Sequence, residues 1–178
     1  MLLKNMNNEG SDKKGGAIVV HEVQRPSWYA NTLALIIAAV TWCGFIQQIM
    51  LGIPFGTKPA SDIEMWIFFL LFGICFPLFF LSLKLVTKTE KEGIVIRFFP
   101  FRSRFIPYQQ IKNVQVRPYH PMPYGGWGIR WSLKKGRAYT MKGKRGIWIE
   151  LTDGDGLYLG SQKPEKLAKY IQRECLHR

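Results

Sequence analysis

The sequence predicts two membrane-spanning α-helices in a hairpin, followed by a small, mainly β domain of about seven strands closed by one C-terminal helix. Three observations predict it. Residues 65–83, MWIFFLLFGICFPLFFLSL, carry no charge and lie between Glu64 and Lys84; residues 28–52 form a second uncharged apolar stretch; after Lys84 continuous hydrophobicity gives way to alternation of apolar and polar residues. At about 1.5 Å of rise per residue, each stretch as a helix comes close to the roughly 30 Å hydrocarbon core of a bilayer. Alternation with a period of two is the pattern of a strand with one buried face.

Residues 1–27 are polar apart from a short patch around Ala17 to Val20, too little apolar surface to offset the entropy of ordering the chain. They read as a flexible cytoplasmic tail. A cleaved signal peptide would place its apolar segment near the start, whereas the first apolar run opens only after Arg25 and Pro26, so that run reads as an uncleaved anchor. Trp28, Tyr29 and Trp42 are its large amphipathic aromatics, and Asn31, Thr32, Gln47 and Gln48 cluster toward its ends, giving a span of about residues 29–50.

The connection GIPFGTKPASDIE is rich in Gly and Pro, long enough for a turn and too short for a domain, so residues 28–83 form a hairpin. The second span, about residues 65–83, contains Pro77. Proline removes an N–H and frees a carbonyl one turn earlier, which spanning helices tolerate when a neighbour re-satisfies it. Orientation follows from basic residues: the connection has only Lys58, the tail has Lys4, Lys13, Lys14 and Arg25, and the stretch after the second span begins with Lys84, Lys88 and Lys91. Both termini are expected on the cytoplasmic side of the cell membrane.

Residues 84–178 are expected to form one cytoplasmic β domain. Ile94, Ile96 and Phe98 alternate with Val95, Arg97 and Phe99; Val114 and Val116 with Asn113, Gln115 and Arg117; Trp127, Ile129 and Trp131 with Gly128, Arg130 and Ser132; Ile147, Ile149 and Leu151 with Trp148 and Glu150. Trp127 and Trp131 are expected to share one strand face and pack into the core, leaving Arg130 on the opposite face to meet a carboxylate or phosphate. The turn Asp153 to Gly156 leads to a last strand at Leu157 to Leu159. With strands near 83–87 and 102–106, the total is about seven. Pro164 suits the first turn of a closing helix whose stripe is Leu167, Tyr170, Ile171 and Cys175, with Lys166, Lys169 and Arg173 outward.

The segments LKLVTKTEKEGIVIRFFP, FIPYQQIKNVQV, GGWGIRWS and LTDGDGLYLGSQKPEKL, placed after a two-span hairpin and ending in one helix, resemble the bacterial pleckstrin-homology-like membrane proteins. The resemblance covers residues 83–174. It implies a curved β module closed by a helix and implies no catalytic residues.

Composition and motifs bear on chemistry. The 178-residue chain has a formal net charge of +13 with 47% hydrophobic residues, a pairing typical of a small membrane protein with a basic side facing water. Cys43, Cys75 and Cys175 stand too far apart in sequence to draw a disulfide framework or a metal knuckle. His21, His120 and His177 have no partner at metal-ligand spacing. Asp153 and Asp155 lack the glycine and glutamate spacing of a calcium loop and read as a hairpin turn, and Glu90 and Glu92 flank Lys91 in another turn. GGWGIR lacks the Lys-Ser/Thr end of a phosphate-binding loop, so its glycines read as close packing or a bulge. No cofactor, metal or catalytic residue is expected.

The strongest functional signal is basic: Arg97, Arg102 and Arg104 around one turn, Arg130 alone, Lys134, Lys135 and Arg137 in one loop, and Lys142, Lys144 and Arg145 in the next. These read either as a solvated surface with positive-inside bias or as a site for anionic phospholipid headgroups, each cation near such a surface being attracted by about 1 kcal/mol. Nucleic acid is the other polyanion, but neither a recognition helix nor an aromatic RNA-binding signature accompanies the charge. The expected function is that of a non-enzymatic integral membrane protein whose cytoplasmic domain binds a protein partner or the anionic inner-leaflet surface. The alternative is an accessory subunit of a larger membrane transporter or enzyme complex, with a membrane-protein partner.

Overall fold

The computed structural model describes residues 20–122, 126–132 and 136–176. It divides into two compact units, one of residues 25–83 and one in which residues 20–24 join the described residues from Lys84 to Leu176.

The first unit is a pair of helices. Helix α1, Trp28–Phe45, continues through a π-helical turn at Ile46–Met50, and the second helix is built from α2, Asp62–Phe68, a π-helical stretch at Phe69–Cys75, and α3, Phe76–Ser82. Trp28–Met50 and Asp62–Ser82 are both long and apolar enough to cross a membrane. Large apolar side chains such as Leu35, Ile36, Val40, Leu70, Leu71 and Leu78 are exposed along them, where a core helix would bury them. The second helix starts three residues earlier than the apolar run because Ser61 and Glu64 form a reciprocal capping box at its N-terminus.

Between the helices Phe45, Met65 and Phe69 form a small buried cluster flanked by Ile49 and Ile74. The Phe45 and Phe69 rings stack with centroids 4.0 Å apart, and Trp42 meets Phe69 edge-on at 4.8 Å. Gly73 admits this packing: a β-carbon there would stand 3.1 Å from the Phe69 ring. Gln48 donates to the Ala60 carbonyl at 2.7 Å and to Asp62 Oδ1 at 3.1 Å, tying the end of one helix to the start of the other.

The second unit holds two sheets and a helix. The four-stranded sheet is an antiparallel run of β1 (His21–Gln24), β2 (Lys84–Thr89), β3 (Gly93–Phe99) and β4 (Arg102–Pro107). The five-stranded sheet comprises β5 (Ile111–Pro118), β6 (Gly128–Ser132), β7 (Gly136–Thr140), β8 (Arg145–Leu151) and β9 (Gly156–Gly160), ordered β5-β8-β9-β7-β6, with β7 and β9 parallel. The buried faces carry Leu85, Ile94, Ile96, Phe98 and Ile106 from the first sheet and Val114, Ile147, Ile149, Leu157 and Leu159 from the second. Helix α4, Pro164–Leu176, packs on β5 and β8 with Leu167, Ala168 and Ile171 buried, while Tyr170 and Cys175 lie at the margin of that contact.

Two expectations about architecture are corrected. There are nine strands among the described residues, against about seven expected. One addition, β7, was hidden because it is an interior strand and Ala138, Tyr139 and Thr140 are all buried, so its residues do not alternate. The other, β1, lies in the stretch read as a flexible tail over residues 1–27; residues 1–19 fall outside those described. β1 pairs with β2 from His21↔Lys88 to Gln24↔Leu85. Its inward residues are polar, so hydrophobicity gives no sign of it. Gln24 Nε2 donates to the Gly160 carbonyl at 2.8 Å, and Glu22 accepts from Ser161 Oγ and from the Gln162 N–H, each at 2.6 Å. The β unit therefore spans more of the sequence than residues 84–178.

Candidate anionic-surface site

Of the ten basic residues, the eight described do not converge on one patch. Arg97 projects from the outer face of the four-stranded sheet, in register with Val86 and Ser103. Arg102 and Arg104 sit on the edge strand β4, opposite Phe98 and Ile96. Lys134 and Lys135 lie outside the described residues. Arg137 belongs to β7 and Arg145 to β8, although both read as loop residues in the sequence: Arg137 is paired with Trp131 and Leu157 across the sheet, and Arg145 opens its strand.

A local group does form at the β7–β8 turn. Gly143, with a φ of +87°, occupies the left-handed conformation the turn requires, and its carbonyl accepts from Trp127 Nε1 at 3.0 Å. The Tyr119 N–H donates to the Lys144 carbonyl at 2.7 Å, and its hydroxyl donates to the Gly126 carbonyl at 2.6 Å. These bonds hold Lys142 and Lys144 beside the start of β6, where Arg130 Nε donates to the Trp127 carbonyl at 3.2 Å. Burial raises the Tyr119 phenol pKa, against the opposing pull of the nearby Thr140 hydroxyl and the Arg130 charge. Beneath the group Tyr119, Ala138 and Tyr158 are buried against Trp148.

The tryptophan expectation is overturned. Trp131 is 69% exposed and Trp127 39% exposed, so neither is a core residue. Trp127 precedes β6, and β6 is the last strand of its sheet, so the face that Ile129 and Trp131 share becomes an open margin there. Arg130 is exposed as expected.

Two ion pairs occur among the described residues, Lys112 with Glu150 at 3.1 Å and Arg145 with Glu165. Arg145 is thus committed locally. Arg97, Arg102, Arg104, Arg130, Arg137, Lys142 and Lys144 have no carboxylate partner among the described residues.

The other motifs resolve simply. Asp153 Oδ1 accepts from the Asp155 N–H at 2.9 Å within the β8–β9 hairpin turn, and Glu90 N–H donates to the Gly93 carbonyl at 2.8 Å in the β2–β3 turn. No three His, Cys, Asp or Glu among the described residues are grouped to hold a metal ion.

Sequence reasoning passed over the outer face of the four-stranded sheet, where Lys84, Lys88, Phe99 and Phe105 join Arg97. The signal was present in the outward set Val95, Arg97 and Phe99, where a wet face would carry polar residues.

No curated protein matches the chain. Residues 12–173 match the model of a family of unknown function, DUF6141, and the chain belongs to that family.

Proposed function

We propose that this is a non-enzymatic integral membrane protein of the cell membrane. Its two helices span the bilayer with both termini in the cytoplasm, and its β unit, a pleckstrin-homology-like module, docks on the anionic inner leaflet. The observation that carries the reading is the uncompensated charge: of the ten basic residues singled out in the sequence, seven lack a carboxylate partner among the described residues. Each such cation gains about 1 kcal/mol near an anionic leaflet. A tether adds to this, since linking a module to its surface raises the effective concentration without any new contact.

The test uses the full chain in nanodiscs of neutral lipid and of neutral lipid mixed with phosphatidylglycerol. Amide hydrogen exchange on the β unit should slow in the anionic discs and recover in high salt, because the Debye length falls from about 10 Å at 0.1 M to about 3 Å at 1 M. Identical exchange in both lipids would refute docking. Orientation is tested separately: an impermeant thiol reagent applied to intact cells should modify Thr57→Cys in the connection and spare Thr152→Cys in the β unit.

One observation favours a second reading, an accessory subunit with a membrane-protein partner. β6 is an edge strand and presents Trp131 to solvent, an arrangement to which a partner strand could add.

A further inference from the structure

The outer face of the four-stranded sheet combines two properties that a water-exposed face would keep apart. Strand register places Val23, Val95, Phe99 and Phe105 on it, with Phe99 43% and Phe105 46% exposed, and the adjoining β3–β4 turn holds Phe101 at 58% exposed. The same register places Lys84, Lys88 and Arg97 among them. Lys84 Nζ stands 5.0 Å over the Phe99 ring. The strand residues of this face include no carboxylate: Glu22 belongs to the opposite face, where Ser161 and Gln162 hold it.

We propose that this face is the membrane-contacting surface of the β unit, with the rings of Phe99, Phe101 and Phe105 passing below the headgroups while Lys84, Lys88 and Arg97 stay among the lipid phosphates. The inference rests on the anionic-surface reading and names its contact face, in place of the β7–β8 turn. Charge complementarity selects anionic lipid, because the charged strand residues of this face are all cationic, with apolar rings between them, and so match the headgroup and acyl boundary, while the carboxylates of Glu90 and Glu92 belong to the β2–β3 turn. Chain continuity selects the same occupant. Ser82 ends the second helix and Lys84 opens β2, so a single residue, Leu83, joins this face to a segment long and apolar enough to span. Lysine and arginine stems allow the charges to remain in the headgroups while the rings descend.

The experiment places a single label on the full chain in nanodiscs, with Cys43, Cys75 and Cys175 replaced by Ala. Ser103→Cys, on the face beside Arg97, is a near-isosteric substitution, and Phe101→Cys is a second site in the turn. Each carries an environment-sensitive fluorophore, and quenching is measured with a doxyl group near the headgroup end of the acyl chain. Labels at Thr152→Cys and Lys142→Cys are the comparisons. In anionic discs the Ser103 and Phe101 labels should be quenched several-fold more than the Thr152 label, and high salt should reduce the difference. Water-exposed labels at Ser103 and Phe101 with shielding at Lys142 would overturn this face while leaving anionic docking intact. If no site responds to anionic lipid, both readings fall, and the face is left open to a protein partner.

Discussion

Trp42 donates its indole N–H to the backbone carbonyl of Gly73 at 3.2 Å, and that carbonyl is the one that Pro77 leaves without its usual α-helical partner. In a regular helix the residue-73 carbonyl accepts from the residue-77 N–H, which proline lacks. The surrounding Phe69–Cys75 stretch is π-helical, a local change of hydrogen-bond register of the kind that accompanies proline in apolar helices. Trp42→Phe keeps the aromatic contact with Phe69 and removes the donor, and should cost about 0.5 to 1.5 kcal/mol, the range for interhelical hydrogen bonds in membranes. In a Pro77→Ala background the restored N–H takes over, so the same substitution should cost less. Unfolding of the four variants in mild detergent, followed by circular dichroism, measures the difference; equal costs in both backgrounds would separate the tryptophan from the proline.

The segment before the first helix belongs to the β unit. Gln24→Ala removes the bond to the Gly160 carbonyl in a position that is 1% exposed, and leaves that carbonyl without this donor. Losing a buried partner of this kind costs about 1 to 3 kcal/mol. Glu22→Ala strips an acceptor from Ser161 and Gln162, just before α4, and should cost toward the lower end because that site is partly solvated. Thermal unfolding of the full chain, monitored in the near ultraviolet, reads both. Unchanged transitions would return these residues to the status of a tail.

The helix pair was legible because membrane-length apolar runs are a property of composition, and Pro77 announced a freed carbonyl though not its donor. The alternation after Lys84 gave the buried faces of β3 and β8, whereas on β5 it gave Val114 but not Val116, which is 39% exposed. β1 was not legible: the Glu22 carboxylate and Gln24 Nε2 bond to partners more than a hundred residues away, and polar residues held by distant partners look like solvent-facing ones. Nor was the edge position of β6, which depends on the parallel β7–β9 pairing and the resulting strand order. For the candidate site, sequence proximity grouped Lys142 with Lys144, but their placement beside Trp127 depends on the Trp127–Gly143 and Tyr119–Lys144 bonds, which no local pattern encodes.

Edge placement makes a paired prediction about stability. Trp131 is mostly exposed, so Trp131→Ala should change stability by no more than about 0.5 kcal/mol. Ile149→Ala, at a fully buried position on the interior strand β8, should cost about 2 to 5 kcal/mol. Denaturant unfolding of both variants tests the assignment, and a larger loss from the tryptophan would place β6 inside the core.

Alkaline pH should loosen the β unit through Tyr108. Its side chain is 2% exposed and its hydroxyl donates to the Glu90 carbonyl at 3.1 Å, bridging the 3₁₀ turn after β4 to the β2–β3 turn. Burial pushes the phenol pKa far above its ordinary value, reinforced by neighbouring Tyr170, Glu174 and Cys175. The folded chain thus holds a proton that the unfolded chain begins to release near pH 10. Where the folded state binds more protons, stability falls as pH rises, so the contribution is intact below about pH 10 and is lost progressively above it. Tyr108→Phe cannot ionise. It should cost about 0.5 to 1.5 kcal/mol at neutral pH for the lost hydrogen bond, yet show a shallower decline of stability between about pH 10 and 12 than the parent chain. Parallel slopes for the two proteins would mean that Tyr108 does not govern the alkaline limb, and Tyr119, whose phenol is also raised by burial, becomes the residue to replace next.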